Sequence, residues 1–256
     1  MTAGGAAGTW AGKARRFVLE QHCIPWSVRR AFGRRFGPRR LNSRITQFDY
    51  LMLRGLQVAL ERVIRRDLGE PFGVLLDIGT QTAPYRPLFG EAAKRYVALD
   101  IAPAPGVSVA GTGERLPLRS DTVDVALCTQ VLEHVEDPRA CVDEMRRVLR
   151  KDGVCLLSTH GIWNRHEVPA DNWRFTRSSF FLLFREFSEV EVINIGGSAL
   201  CLFQFLNLYA RQARHSPLAR PFLPAIYTAN NLLGWWLGRT AGEDFLTINY
   251  LVVARK

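Results

Sequence analysis

The stretch that decides the fold is Val74-Leu-Leu-Asp77-Ile-Gly79-Thr-Gln81-Thr-Ala83-Pro-Tyr85, followed by Val97-Ala-Leu-Asp100. In both, an apolar run of strand-forming residues ends in an acidic residue, and a glycine-containing turn follows the first. A doubly wound parallel sheet holds a nucleoside cofactor in this way, with a tight turn after one strand and a carboxylate after the next for the ribose hydroxyls. The stretch therefore predicts an α/β fold with a cofactor site at its strand ends.

The rest of the chain continues the alternation of strands and helices. One helix is predicted from Asn42-Ser43 to about Asp67, and another from Asp137-Pro138 to Lys151-Asp152-Gly153. Strands are predicted near residues 73–78, 95–100, 107–110, 123–128, 154–158, 190–195 and 248–254. We expect a doubly wound, seven-stranded, mostly parallel sheet, with a hydrophobic helical insertion at residues 196–245 between the last two strands.

Charge divides the chain into a basic N-terminal arm at residues 1–41 and a domain at residues 42–256. Residues 1–40 hold nine lysine and arginine residues and one acid, whereas the whole chain of 256 residues has a formal net charge of +10. The paired arginines suit anionic lipid headgroups or nucleic-acid phosphates, or they belong to a solvated leader.

The five cysteines are scattered, without a CxxC pair or a Cys/His cluster. This distribution predicts free thiols in a reducing compartment and no metal site. No run reaches the roughly 20 apolar residues that span a bilayer. We therefore expect a cytoplasmic protein that is at most peripheral to the inner face of the membrane.

Further segments follow in order: Gly111-Thr112-Gly113-Glu114-Arg115-Leu116-Pro117, Asp124-Val-Ala-Leu-Cys128-Thr129-Gln130-Val-Leu-Glu133-His134-Val135 and Arg147-Val-Leu-Arg-Lys-Asp-Gly153. Together they resemble the class I S-adenosylmethionine-dependent methyltransferases. His160-Gly-Ile-Trp163-Asn-Arg-His166-Glu167-Val-Pro169-Ala-Asp171-Asn-Trp173-Arg174-Phe175-Thr176 is similar to the H-E-x-P-x-D-x-W-R-F-T segment of a bacterial branch associated with polysaccharide and glycolipid biosynthesis. The resemblance implies a Rossmann-like fold and S-adenosylmethionine as cofactor.

Carried over residue by residue, the resemblance implies which side chains line the cofactor. They are Asp77, Gly79, Thr80 and Gln81 on the methionine side, Asp100 and Ile101 at the ribose and adenine, Thr112, Gly113 and Glu114 beside the adenine, and Thr129 and Gln130 at the sulfonium. Asp77 either fixes the turn or holds the ammonium group. Gln81 and Ala83 stand where the family has glycine, and Thr112 stands where an acid is common. Gln81 either bends away from the cofactor or weakens its site.

The loop after the fifth strand supplies the predicted catalytic residues. A sugar hydroxyl must lose a proton when it accepts a methyl group, and a positioned base accelerates such a step by about 10²–10⁴-fold. We predict His166 as the base, with Asp171 or Glu167 as its orienting partner. In the alternative, His166 and Asp171 only fold the loop, and Arg174 pairs with an acid.

The same loop supplies the predicted substrate-binding residues, which are His160, Trp163, Glu167, Trp173 and Arg174. Arg174 suits a phosphate or a uronate, because its planar fork matches both. Trp163 and Trp173 either stack on a sugar ring or belong to the core or a lid. The insertion at residues 196–245 is either an interfacial patch that meets a lipid-linked substrate together with the arm, or a lid or dimer contact.

The leading hypothesis is in-line transfer of a methyl group to an oxygen of a saccharide, glycolipid or related small molecule. The alternative is a non-catalytic module of the same fold for binding or assembly, supported mainly by Gln81. A nicotinamide-dependent oxidoreductase is disfavoured, because the G-x-G-x-x-G fingerprint is missing. No nucleic-acid partner is expected, because the fourth strand lacks the Asn/Asp-Pro-Pro-aromatic motif of base-amino methylases. The oligomeric state stays open.

Overall fold

The computed structural model describes residues 40–68, 71–166, 170–238 and 245–256. Its helices are α1 (Tyr50–Asp67), α2 (Arg86–Phe89), α3 (Pro138–Val148), α4 (Arg177–Leu183), α5 (Ser198–Ala210) and α6 (Leu223–Leu237). Its strands are β1 (Phe72–Ile78), β2 (Ala93–Asp100), β3 (Val109–Ala110), β4 (Val123–Thr129), β5 (Leu149–His160), β6 (Glu189–Ile195) and β7 (Asn249–Arg255). Two short 3-10 helices, Arg211–His215 and Arg220–Phe222, lie between α5 and α6. The predicted arm lies outside the described residues apart from residues 40 and 41.

The strands form one sheet in the order β3-β2-β1-β4-β5-β7-β6. Neighbours from β3 to β5 are parallel, whereas β7 runs antiparallel to both β5 and β6. This confirms the predicted doubly wound, mostly parallel sheet, and α5 and α6 form the predicted insertion before the last strand. The strand order reverses between β1 and β4, which is where such sheets bind ligands.

Helices cover both faces of the sheet. On one face, Met145 of α3 and Phe180 of α4 pack into a core with the strands, and on the other face Leu56 and Leu60 of α1 do so. The last four residues of β1 and the last five of β4 are buried, as expected for central strands covered on both sides. This packing holds the carboxyl ends of β1 and β4 in fixed positions.

The predicted start of the first helix at Asn42-Ser43 is wrong, because α1 begins at Tyr50 and turns precede it. Tertiary hydrogen bonds explain the difference. The carbonyl groups of Ile45 and Gln47 accept hydrogen bonds from the Asn231 side chain of α6, at 2.6 and 2.9 Å. Carbonyl groups that a longer helix would use internally are therefore bonded to the insertion.

Helix α3 starts as predicted, because the Asp137 carboxylate accepts hydrogen bonds from two backbone N–H groups of the first turn, at 2.9 and 3.1 Å. It ends at Val148, not at the predicted Lys151-Asp152-Gly153. The next strand begins at once, and Leu149 pairs with Val123 beside a register shift. The residues that the sequence predicted in the last helical turn therefore belong to the irregular start of β5.

Candidate active site

The turn after β1 keeps a backbone conformation that glycine adopts most easily. Gly79 has a φ of +68°, and Gln81 and Ala83 both have a φ of +50°. A Cβ atom on Gly79 would lie 2.3 Å from Cγ2 of Val131, just after β4. Two of the three departures from the family pattern, Gln81 and Ala83, therefore lie in left-handed backbone, which costs a residue with a side chain about 1–2 kcal/mol.

Asp100 closes this turn from the end of β2. Its Oδ2 atom accepts a hydrogen bond from the backbone N–H of Gln81 at 2.9 Å, while the Gln81 side chain is exposed. Ile101 follows Asp100 and is 44% exposed. A carboxylate beside an open apolar side chain is the arrangement expected for a ribose and its base at the end of the second strand.

Asp77 is buried at the end of β1 and fixes the turn from inside. Its Oδ2 atom accepts hydrogen bonds from the hydroxyl groups of Tyr96, at 2.5 Å, and of Thr80. Burial raises the pKa of Asp77 from 3.8 to about 6, although these hydrogen bonds act in the opposite direction. The structure thus shows the turn-fixing role, and contact with an ammonium group stays a prediction.

The three residues predicted beside the adenine have different surroundings. Thr112 is exposed, whereas Gly113 is buried, and a Cβ atom there would lie 2.9 Å from Sγ of Cys141. The Oε1 atom of Glu114 accepts hydrogen bonds from the two backbone N–H groups that precede α3, at 3.0 and 2.7 Å. Glu114 therefore supports the start of that helix.

Thr129 and Gln130 lie at the end of β4. Thr129 is buried, and Gln130 has a φ of +56°. The Gln130 side-chain amide donates hydrogen bonds to Oγ of Ser158 and Oδ1 of Asn249, both at 3.1 Å. This amide therefore ties the end of β4 to β5 and β7.

A buried cluster of titratable side chains lies at the carboxyl ends of β4 and β5. Glu133, His160 and His166 each offer one nitrogen or oxygen atom, and these atoms lie within 4.8 Å of one another. Oε2 of Glu133 accepts a hydrogen bond from the Thr159 hydroxyl at 2.7 Å. Oε1 lies 3.6 Å from Nε2 of His160 and has no hydrogen-bond partner among the described residues. Such a cluster can exchange a proton, and its spacing also suits a small cation.

Burial sets the charge state of this cluster. Burial raises the pKa of Glu133 and lowers the pKa of His160 well below 6.5. It also lowers the pKa of His166, and the nearby His134 lowers it further. The imidazole rings are therefore neutral at pH 7 and able to accept a proton. His160 stacks on Trp163, with 4.6 Å between the ring centroids, so Trp163 contacts the cluster directly.

The loop after the cluster is held by an ion pair. Two nitrogen atoms of the Arg174 guanidinium donate to the Asp171 carboxylate at 2.6 and 2.9 Å. Asp171 also accepts from the backbone N–H of His166 at 2.9 Å, and its Oδ1 lies 3.7 Å from Nδ1 of His166. Burial acts to raise the pKa of Asp171, but the hydrogen bonds from Arg174 and His166 outweigh it and lower the pKa. Arg174 thus pairs with an acid, as expected in the alternative in which His166 and Asp171 only fold the loop.

The remaining predicted substrate residues are Trp173 and Glu167. Trp173 is 41% exposed, and its indole N–H donates to the carbonyl group of Val135 at 2.9 Å, which leaves part of the ring open to solvent. Glu167 lies outside the described residues. Sequence reasoning did not place Glu133 in the site. Its position shortly after the end of β4, near His160 at the end of β5, was the available signal.

Comparison with known proteins shows the family of this chain. A family model described as a methyltransferase domain matches residues 76–157. An uncharacterized methyltransferase of Mycolicibacterium vanbaalenii is 33% identical over 198 residues, which cover 71% of this chain and 75% of that protein. The chain belongs to the class I S-adenosylmethionine-dependent methyltransferases. The predicted family is thereby confirmed.

Other relatives of this methyltransferase match over a shorter region. The uncharacterized methyltransferase ML2584 of Mycobacterium leprae is 31% identical over 102 residues, which cover 35% of this chain and only 38% of that protein. Among solved structures, the cyclase SpnF has a TM-score of 0.51 at 16% identity, covering 81% of this chain and 82% of its own. The MccD protein has a TM-score of 0.50 at 12% identity, covering 79% and 99%. These two likenesses show the fold.

The strand-end residues fit the cofactor of this methyltransferase family. A Cβ atom at Gly79 would clash with Cγ2 of Val131 at 2.3 Å, so the glycine lets the turn after β1 pack closely against the end of β4. The Asp100 carboxylate and the exposed side chain of Ile101 lie at the neighbouring strand end. Acceptors for ribose hydroxyls and an apolar surface for a base are therefore present together.

Proposed function

We propose that this methyltransferase transfers a methyl group to an oxygen atom of a saccharide, a glycolipid or a related small molecule, in bacterial polysaccharide or glycolipid biosynthesis. The observation that carries the proposal is the cluster of Glu133, His160 and His166 at the carboxyl ends of β4 and β5. A hydroxyl acceptor needs a base, because it loses a proton in the transfer step. A carboxylate acceptor would need alignment alone.

The residues for the cofactor are those at the ends of the first four strands. When bound, S-adenosylmethionine supplies a methyl group that its sulfonium already activates for displacement. Gly79 lets the turn pack against the end of β4, Asp77 and Thr80 fix the turn, and Asp100 would accept hydrogen bonds from the ribose. The protein then contributes mainly alignment and exclusion of water.

His166 is the proposed base. Its side chain is 30% exposed, whereas those of His160 and Glu133 are 4% and 0% exposed, so His166 is the member of the cluster that an acceptor reaches. The acceptor oxygen gains the methyl group and gives its proton to the neutral His166 ring. The proton can then be shared with Glu133, since Asp171 is already engaged by Arg174 in two hydrogen bonds.

Two further features support the acceptor class and the compartment. The partly open ring of Trp173 offers an apolar surface of the kind on which sugars stack. The four described cysteines, Cys128, Cys141, Cys155 and Cys201, are buried and free. Free thiols fit a reducing cytoplasm, where we place the protein, peripheral to the inner face of the membrane.

The test compares His166→Gln with His215→Gln, a substitution of an exposed histidine between α5 and α6. Methyl transfer from labelled S-adenosylmethionine is measured with panels of saccharides, glycolipids, amines and carboxylates, and cofactor affinity is measured by calorimetry. We expect transfer to hydroxyl acceptors, with kcat reduced about 10²–10⁴-fold in His166→Gln and unchanged in His215→Gln. Cofactor affinity should be equal in all three proteins.

Four results would contradict the proposal. Equal kcat values in His166→Gln and His215→Gln would show that His166 is not the base. Transfer only to amines or carboxylates would show that the acceptor is not a hydroxyl group. Loss of transfer on adding a chelator, restored by a divalent cation, would replace the base with a metal at the same cluster. If the folded protein bound no S-adenosylmethionine at all, the non-catalytic module would take the place of the enzyme.

A further inference from the structure

Helices α5 and α6 form a hairpin, here called the α5–α6 hairpin (residues 198–237), whose inner side carries polar side chains. Gln204, Asn207 and Asn231 are 1%, 0% and 0% exposed. The Asn207 amide donates to Oδ1 of Asn231 at 2.9 Å, and the Gln204 amide donates to the carbonyl group of Phe48 at 2.7 Å. Amide hydrogen bonds thus help fasten the hairpin to the chain just before α1.

The outer side of the α5–α6 hairpin is apolar. On α5, Leu202, Leu206 and Tyr209 recur at helical spacing and are 55%, 43% and 76% exposed. Phe222, just before α6, is 65% exposed, and Trp236 in the last turn of α6 is 61% exposed. A helix that packs on a protein in water normally turns its large apolar residues inward, so the exposed apolar residues of this hairpin depart from that pattern. Several large apolar side chains exposed on one pair of helices are typical of a surface that contacts a partner or a membrane.

Charge indicates what that surface meets. Residues 196–238 contain three arginines, Arg211, Arg214 and Arg220, and no acidic residue. All three lie in the connection between α5 and α6. In a symmetric dimer this patch would face a copy of itself and set like charges against each other. Anionic headgroups are complementary instead, and tyrosine, tryptophan and arginine are typical of helices that lie in a membrane interface.

We propose that the outer face of the α5–α6 hairpin docks on the surface of an anionic lipid bilayer. In the described part of the chain, no helix combines the length and the apolarity needed to cross a membrane, so the hairpin lies along the interface. Its inner side reaches the candidate acceptor loop, because Leu200 and Phe205 share a hydrophobic cluster with Ile162 and Trp163. The hairpin would therefore lie between the bilayer and that loop, in contact with both.

The first experiment measures binding of the full chain to vesicles of phosphatidylcholine with phosphatidylglycerol, and to vesicles of phosphatidylcholine alone, by flotation. The variant Phe222→Ser/Trp236→Ser removes two outer aromatic rings. Its matched control, Phe181→Ser/Leu182→Ser, removes two apolar side chains of α4 that are 46% and 71% exposed. We expect the hairpin variant to lose at least tenfold in affinity for the anionic vesicles, and the control to bind as the unmodified protein does.

The second experiment reverses charge at the same surface. Arg214→Glu/Arg220→Glu is compared with Lys94→Glu/Arg95→Glu, which makes the same change in net charge at exposed positions of β2. The hairpin variant should bind anionic vesicles at least tenfold more weakly than the control. Preference for anionic vesicles should also fall with added salt, since headgroup attraction is screened.

The basic arm is present in every variant, so equal vesicle binding by all of them would assign binding to the arm and overturn the proposal. Absence of vesicle binding would overturn it too. If the protein is a dimer that Phe222→Ser/Trp236→Ser converts to a monomer, and vesicle binding is unchanged, the partner of this surface is a second copy of the chain. That result would also overturn the proposal. Equal cofactor affinity in all variants controls for folding. Vesicle binding is measured without methyl transfer, so its result is separate from the proposed acceptor.

Discussion

Adding one methyl group at Gly79 should damage both the fold and the cofactor site. Gly79→Ala puts a side chain on left-handed backbone, φ +68°, and brings its Cβ atom to 2.3 Å from Cγ2 of Val131. The backbone conformation costs about 1–2 kcal/mol, and overpacking a filled site costs about 1–3 kcal/mol. We expect the free energy of unfolding to fall by about 2–5 kcal/mol, and affinity for S-adenosylmethionine to fall at least tenfold.

Two matched variants separate these contributions in urea unfolding and in calorimetric titration with the cofactor. Gly90→Ala also places a side chain at positive φ, +50°, but nothing lies within 4 Å of its Cβ position, so it should cost only the backbone strain. In Gly79→Ala/Val131→Ala the clashing methyl group is gone. The double mutant should therefore recover about 1–3 kcal/mol relative to the sum of the single changes.

The reasoning is refuted if Gly79→Ala costs no more than Gly90→Ala and shows no coupling to Val131→Ala. Such a result would mean that the turn moves away from β4 at little cost. Lost stability with unchanged cofactor affinity would instead remove Gly79 from the cofactor site, while leaving the packing argument intact.

Four further predictions follow from single residues. Gln81→Gly and Ala83→Gly each relieve left-handed backbone, so both should stabilise the fold by up to about 1 kcal/mol in urea unfolding; cofactor binding that tightens tenfold in Gln81→Gly alone would show that the Gln81 side chain enters the site. Because burial raises the pKa of Asp77 to about 6 from 3.8, its contribution to stability is full below about pH 4 and is lost as the pH rises through 6, by about 3 kcal/mol. Asp77→Asn should remove this slope, and an unchanged slope would count against the assignment. Because burial lowers the pKa of His166 from 6.5, kcat/KM should rise with pH with a midpoint below pH 6.5, and a midpoint above pH 6.5 would exclude His166 as the base. Arg174→Lys loses the bidentate geometry of its carboxylate pair and should destabilise the protein by about 1–2 kcal/mol; an unchanged urea midpoint would show that the pair is dispensable.

The sequence by itself determined the sheet, and it predicts the edge of the sheet at which the cofactor binds. Apolar runs that end in Asp77 and Asp100 identify the first two strands, because buried parallel strands need continuous apolar residues and polar groups gather at their carboxyl ends. Asp137-Pro138 located a helix start for a local reason, since its capping hydrogen bonds lie within one turn. Local propensity and periodicity were sufficient for these elements.

Only the tertiary structure decided features that depend on partners distant in the chain. The Asn231 amide of α6 bonds to carbonyl groups of the segment before α1, and Leu149 joins β5 because it pairs with Val123. Glu133 enters the site only when β4 and β5 bring it beside His160. The polarity of the α5–α6 hairpin is likewise visible only in three dimensions, because composition shows which residues are apolar, whereas packing decides which of them face outward.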